Sequence, residues 1–197
     1  LIGGRKGAMK IYGDTWRSPD GVEWEKMSDG TGWGNRCYPE VEIVDGTLVL
    51  TAGQGLSTFH NDVWASSDQG RSWEQVCGDA PWGVRAGHHT TTVDGAIYLF
   101  GGARNSWNRI FYPELWVSWD LGESWDVLAQ RPEDMGRAGM QVVEVGDDHF
   151  FMGGDHDRPV FSANWSGRRN DAWRSADRGE TWEMIGHAPW SARTGHQ

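Results

Sequence analysis

The sequence is short of cysteine, of proline, of basic residues and of long apolar runs. Cys37 and Cys77 are its two cysteines and seven residues are proline. Two isolated thiols make neither a disulfide scaffold nor the clustered donor set of a zinc site, and they read as ordinary buried thiols. Eighteen lysines and arginines stand against 28 acids, a net charge of −10 without long single-sign runs. That balance argues against non-specific binding to nucleic acid or to an anionic membrane. The longest apolar stretches, around Leu48-Val49-Leu50 and Ile97-Tyr98-Leu99-Phe100, fall far short of the ~20 residues a membrane helix needs, so no membrane insertion is expected. Any targeting segment would lie outside these residues, so localisation stays open.

What the chain has in excess is glycine, 28 residues, and tryptophan, 14 of 197. Most of both belong to a repeat. Trp16-Arg-Ser-Pro-Asp20-Gly-Val-Glu-Trp24, Trp64-Ala-Ser-Ser-Asp68-Gln-Gly-Arg-Ser-Trp73, Trp116-Val-Ser-Trp-Asp120-Leu-Gly-Glu-Ser-Trp125 and Trp173-Arg-Ser-Ala-Asp177-Arg-Gly-Glu-Thr-Trp182 are four copies of one phrase. The chemistry of the phrase is that of a tight turn. Asp20, Asp68, Asp120 and Asp177 accept from turn amides, glycine supplies a positive φ, and the closing Trp covers the turn.

A second phrase interleaves with the first. Arg36, Arg85 and Arg137 each precede a broken β-like run that ends, 17 residues later, at Gly53, Gly102 and Gly154. Arg-to-Arg spacings grow from 49 to 52 and then 56 on reaching Arg193, so a rigid hairpin is constant and one loop lengthens. Asp45-Gly46, Asp94-Gly95 and Gly146-Asp147 mark the turn inside each hairpin. Units of about 50 residues with four short strands, none able to bury both faces alone, predict an all-β chain: a β-propeller of four-stranded blades.

The Gly-Gly-ended strand Tyr98-Leu-Phe-Gly-Gly102, followed by a third strand such as Asn61-Asp-Val-Trp64, resembles the kelch repeat of the galactose-oxidase central domain type. The Ser-x-Asp-x-Gly-x-Ser/Thr-Trp hairpins resemble the Asp-box (BNR-like) of sialidases and many secreted propellers. The resemblance implies a ring of six to eight blades and leans toward an extracellular location. The chain opens inside a second strand and stops at the opening of a first one. It is therefore expected to be a single propeller region, with blade units near 1–27, 31–77, 80–129 and 132–186 and residues 187–197 starting the next. An interior piece of a larger propeller is the expectation; a homodimer of two halves and a self-contained four-blade ring are the alternatives.

Phasing the repeat accounts for eleven tryptophans: four in third strands, four closing turns, and Trp33, Trp82 and Trp190 three residues before an arginine. Trp119, Trp107 and Trp165 are off phase. The last two fall in the longest loops, with Arg109, Tyr112, His156 and Arg168, and loops rich in aromatics and arginine on a rigid scaffold are where recognition sits. The other candidates are Arg36, Arg85, Arg137 and Arg193. In kelch propellers that recognise acidic peptides an arginine at this phase faces a central mouth, and the resemblance extends that role to these four. The competing reading is structural, each arginine stacking on a Trp or pairing with an acid of a neighbouring blade. Asn164-Trp165-Ser166 forms a glycosylation sequon that matters only in a secreted protein.

No catalytic constellation emerges. A sialidase needs a Tyr activated by Glu, and Tyr112-Pro-Glu114 is only a proximity; a copper radical oxidase needs Tyr, His and Cys on one face, and Cys37-Tyr38 are merely adjacent. Histidine recurs at the same phase in His88 and His196 but gives way to Pro39 and Met140, so no metal ring and no cofactor are expected. The sequence thus reads as a non-catalytic module binding a protein or peptide, an acidic one included, through loops and an arginine-lined mouth. A glycan-binding or matrix-scaffold propeller is the alternative, and a fragment of an oxidase or sialidase-like enzyme the lesser one.

Overall fold

The structure, a computed structural model, describes residues 1–7, 9–30, 32–104, 110–130, 135–146, 148–156 and 167–196. All its regular elements are strands, in four antiparallel sheets. The first sheet holds β1 (Ile2–Lys6), β2 (Lys10–Arg17) and β3 (Glu25–Ser28). The second holds β4 (Glu40–Val44), β5 (Thr47–Gln54), β6 (Phe59–Ser66) and β7 (Glu74–Cys77), each paired with the next in sequence. The third contains β8 (Ala86–Val93), β9 (Ala96–Arg104), β10 (Ile110–Phe111), β11 (Glu114–Ser118) and β12 (Asp126–Gln130). Here β9 pairs with both β8 and β11 and carries β10 at its far end. The fourth is the meander β13 (Gln141–Val145), β14 (Asp148–Met152), β15 (Asp171–Ser175) and β16 (Glu183–His187).

Local chemistry sets these hairpins. Val44 faces Thr47 across a two-residue turn in which Asp45 (φ 48°) and Gly46 (φ 81°) are both left-handed, and Asp94 and Gly95 repeat it at 51° and 81°. That double positive φ matches the right-handed twist of the flanking strands, and Asp-Gly adopts it at least strain. Every residue of β9 from Ala96 to Ala103 is buried, as a strand covered on both faces must be. One feature of the long loop differs from the sequence reading: Ile110 and Phe111 leave it to pair with Arg104 and Ala103, and the Phe111 ring is buried. A β-branched and an aromatic residue in succession gain more by folding against the sheet than by staying in solvent.

The chain divides into two compact units. One comprises Leu1–Ala86, Thr92–Ile97 and Ser118–Trp125; the other comprises Gly87–Thr91, Tyr98–Val117 and Asp126–Gln197. Both thiols are free, Cys37 buried and Cys77 only half-buried.

Candidate functional site

Each repeated arginine is anchored through its main chain. In the first unit the Arg36 carbonyl accepts from Gly4 N (2.9 Å) and its amide donates to Tyr12 O (3.0 Å), which seats it on the first sheet. Its guanidinium reaches the second sheet, donating to Asp62 (2.6 and 3.1 Å) and Ala52 O (2.9 Å). Arg137 does the same in the second unit. Its carbonyl takes Gly102 N at 2.6 Å, and its side chain donates to both oxygens of Asp171 at 2.6 Å and to Gly153 O at 3.0 Å. Burial alone would raise the carboxyls of Asp62 and Asp171. Hydrogen bonds from the two arginines, backed by Trp64 and Trp173, outweigh it and hold both below the usual aspartate range.

These guanidiniums are 1 % exposed and joined to fixed acceptors, so Arg36 and Arg137 tie one sheet to the next instead of presenting charge to a ligand. Arg85 is also fully buried: its carbonyl takes Gly53 N, its amide donates to His60 O, and its side chain donates to Trp82 and Gly83 carbonyls beneath the Trp82 ring. The ligand-facing role expected for Arg36, Arg85 and Arg137 thus gives way to a structural one. Arg193 alone of the four is exposed.

A carboxylate two residues before each third-strand Trp completes the arrangement. Asp14, Asp62 and Asp171 accept from Trp16, Trp64 and Trp173 at 2.8, 2.8 and 2.9 Å. In the third sheet the position is Glu114. Its Oε2 and the Trp116 Nε1 are both buried without a hydrogen bond among the described residues, as expected of a side chain one methylene too long for this geometry.

Three of the aspartate turns are hydrogen-bonded alike, and the shorter first one differs in that Asp20 accepts from the amides of Val22 and Glu23 with no closing hydroxyl. Asp120 accepts from Ser118 Oγ (2.9 Å), Ser124 N (2.9 Å) and Ser124 Oγ, while Gly122 N donates to Ser118 Oγ (2.8 Å). Asp68 is held down to about 2 chiefly by the hydroxyl and amide of Ser72, and Asp20 and Asp177 lie below their ordinary range. In three copies the closing Trp donates to the turn glycine: Trp24 to Gly21, Trp125 to Gly122 and Trp182 to Gly179.

Among the loop candidates, Trp107, Arg109, Trp165 and the Asn164 sequon lie outside the described residues. The others gather within the second unit. Tyr112 N donates to Gly102 O (3.1 Å), which seats the half-buried Tyr112 against β9. The preceding Phe111 lies 5.5 Å from the His156 ring, whose Nδ1 donates to Gly136 O. His156 N in turn donates to Gly167 O (3.0 Å), and Asp155 bridges to Arg168. Tyr112, His156, Arg168 and exposed Arg169 therefore emerge at connected loop ends, an aromatic and cationic cluster on an acidic chain. Trp119 is 62 % exposed on its own turn in the first unit.

Sequence reasoning missed Glu40. It opens β4 half-buried, and burial, reinforced by Glu42, pushes its carboxyl up to about 8. The available signal was phase: four residues after the repeated arginines stand Glu40, His89 and Gln141, chemically different side chains at a position whose neighbours repeat. His89 is lowered by burial. Because Glu40 is protonated at neutral pH when folded but ionised in the unfolded chain, its contribution to stability falls as pH rises from the ordinary glutamate range toward 8. Glu40→Gln is expected to raise stability at pH 8 by on the order of 2 kcal/mol and to make little difference below pH 4, read from urea unfolding at the two pH values.

The fold and this geometry define an all-β protein of antiparallel meander sheets joined by buried arginine–aspartate pairs. No protein-family model and no curated protein sequence matches the chain. Among solved structures it is similar to that of YjhT, with a TM-score of 0.70 at 19 % identity, covering 92 % of this chain and 60 % of YjhT. That likeness is one of fold, and the chain spans about 60 % of the length of the protein it matches.

Proposed function

We propose that the four sheets are consecutive blades of a larger β-propeller of the kelch and Asp-box kind, and that it works as a non-catalytic module binding an acidic protein segment or peptide. The blade reading is supported by the recurrence of one joint between consecutive sheets, Arg36 with Asp62 and Arg137 with Asp171, and by a fold likeness that spans only part of a longer chain. The binding reading is carried by one observation: Tyr112, His156, Arg168 and Arg169 are gathered at adjoining loop ends of a chain whose net charge is −10. Arginine's planar fork suits carboxylates, and Tyr and His add contact area at small entropic cost. Arg36, Arg85 and Arg137 are buried, whereas these loop ends carry the exposed Arg169.

A panel of acidic and neutral peptides, with a glycan array run beside it, tests the assignment. Acidic peptides are expected to bind, with affinity falling as salt rises, and the triple variant Tyr112→Ala, His156→Ala, Arg168→Ala is expected to lose at least tenfold. Binding of glycans alone, or of acidic peptides undiminished by the triple change, would overturn it.

A further inference from the structure

One strand pair differs in kind between copies of the repeat. In the second sheet Ile43 of β4 faces Leu48 of β5 across the hairpin, and in the fourth Glu144 of β13 faces His149 of β14 in the same register. Leu48 and His149 each pair onward with a serine, Ser66 and Ser175. Each also stands five residues before the glycine that ends the repeat, as Ile97 does in the third sheet. An acid and a base thus occupy the places that hold two aliphatic side chains in the second sheet.

The base is buried like the Ile97 it matches. His149 is 1 % exposed, and among the described residues neither ring nitrogen has a hydrogen bond. Its ring lies against the third sheet, 5.7 Å from Tyr98 and 6.2 Å from Phe100 in β9. Phe100 in turn meets Trp182, the closing Trp of the fourth sheet's turn, edge-on at 6.2 Å. The uncharged imidazole is therefore part of an aromatic contact that holds two sheets of the second unit together. Besides the Tyr98 phenol, the titratable and charged groups around it are Glu144 from β13, Asp148 beside it on β14, and Arg178 from the turn between β15 and β16. Asp148 is engaged by Arg174 at 2.8 Å, and Arg178 opposes a second positive charge. Glu144 is left to answer a proton on His149. Its Oε1 stands 3.8 Å from Nε2, beyond hydrogen-bond reach, and accepts from Thr91 Oγ1 of β8.

We propose that His149 is an acid-sensitive latch between the third and fourth sheets: on taking up a proton its ring leaves Tyr98 and Phe100 and turns toward Glu144, and the two sheets loosen. A buried imidazolium with both N–H groups unsatisfied carries a desolvation cost that two neighbouring rings offset only in part. Glu144, its side chain 28 % exposed, offers that charge a partner nearer to water. Burial holds His149 below the ordinary histidine range, Arg178 adds to this, and Glu144 and Asp148 oppose it. The folded chain thus keeps His149 neutral at a pH where the unfolded chain would protonate it. The stability this group supports is intact above the ordinary histidine range and falls as pH drops through and below it.

Hydrogen exchange of the 197-residue chain at about pH 7.5 and about pH 5, corrected for the intrinsic pH dependence of exchange, is the test. Amides of β9 and β14 are expected to exchange roughly tenfold faster at the lower pH, and His149→Leu should remove most of that difference. If leucine alone disturbs the hairpin, Glu144→Ile combined with His149→Leu installs the pair of the second sheet and gives the same readout. His89→Gln, which replaces a second histidine of the same unit held low by burial, should leave the acid response in place. Equal exchange at both pH values in the wild-type chain would overturn the proposal. So would an acid response that survives both His149 variants, or one that disappears with His89→Gln. No ligand enters the experiment, so its outcome is separate from that of the peptide reading.

Discussion

Arg137→Ala is expected to lower folding stability by about 3–5 kcal/mol, the range seen when one partner of a buried ion pair is removed. The loss follows from what remains. Asp171 would lose both of its guanidinium donors while keeping the indole of Trp173, and the Gly153 carbonyl would lose its donor. The Arg137 guanidinium also lies 5.2 Å from the Phe151 ring, so truncation opens space against a fully buried aromatic. Arg193→Ala is the matched control: the same residue at the same phase, exposed, with an expected change within about 0.5 kcal/mol. Urea unfolding of both variants checks the contrast. Equal losses would mean that burial and the Asp171 partner are not what makes Arg137 matter.

Gly179→Ala is expected to cost about 2–4 kcal/mol, combining backbone strain with forced repacking. Its φ of +93° is a conformation that alanine adopts only under strain, and a Cβ there would run into Leu115, itself fully buried and unable to step aside. Gly21 occupies the same place in its own turn at φ +78°, with open space around it. Gly21→Ala should therefore show the backbone part alone, roughly 1 kcal/mol. The difference between the two variants, measured by thermal or urea unfolding, isolates the contact between consecutive sheets from the conformation of the turn.

The hairpins were legible in the sequence because Asp-Gly pairs and the Ser-x-Asp-x-Gly phrase carry their conformation in residues a few positions apart. The joint was not. Arg36 and Asp62 are 26 residues apart and Arg137 and Asp171 are 34 apart, and since the intervening loop grows from blade to blade no fixed spacing ties the partners. Comparing the copies by phase rather than by distance would have revealed it, since Asp14, Asp62, Glu114 and Asp171 all stand two residues before a third-strand Trp. The candidate site was half legible. Aromatic and basic residues in the long loops were visible, but that Phe111 turns inward to form β10 while Tyr112 and His156 stay at the loop ends depends on pairing with β9, which composition does not encode. Glu40 escaped notice because its character comes from burial beside Glu42, a property of the folded strand.

Buried arginine–aspartate pairs couple the first sheet to the second and the third to the fourth. A double-mutant cycle on Arg137 and Asp171, using Arg137→Ala, Asp171→Ala and the double variant in urea unfolding, tests this coupling most directly. A coupling energy of about 2 kcal/mol or more is expected, with the double variant much less destabilised than the sum of the singles. Additive losses, with coupling near zero, would contradict it.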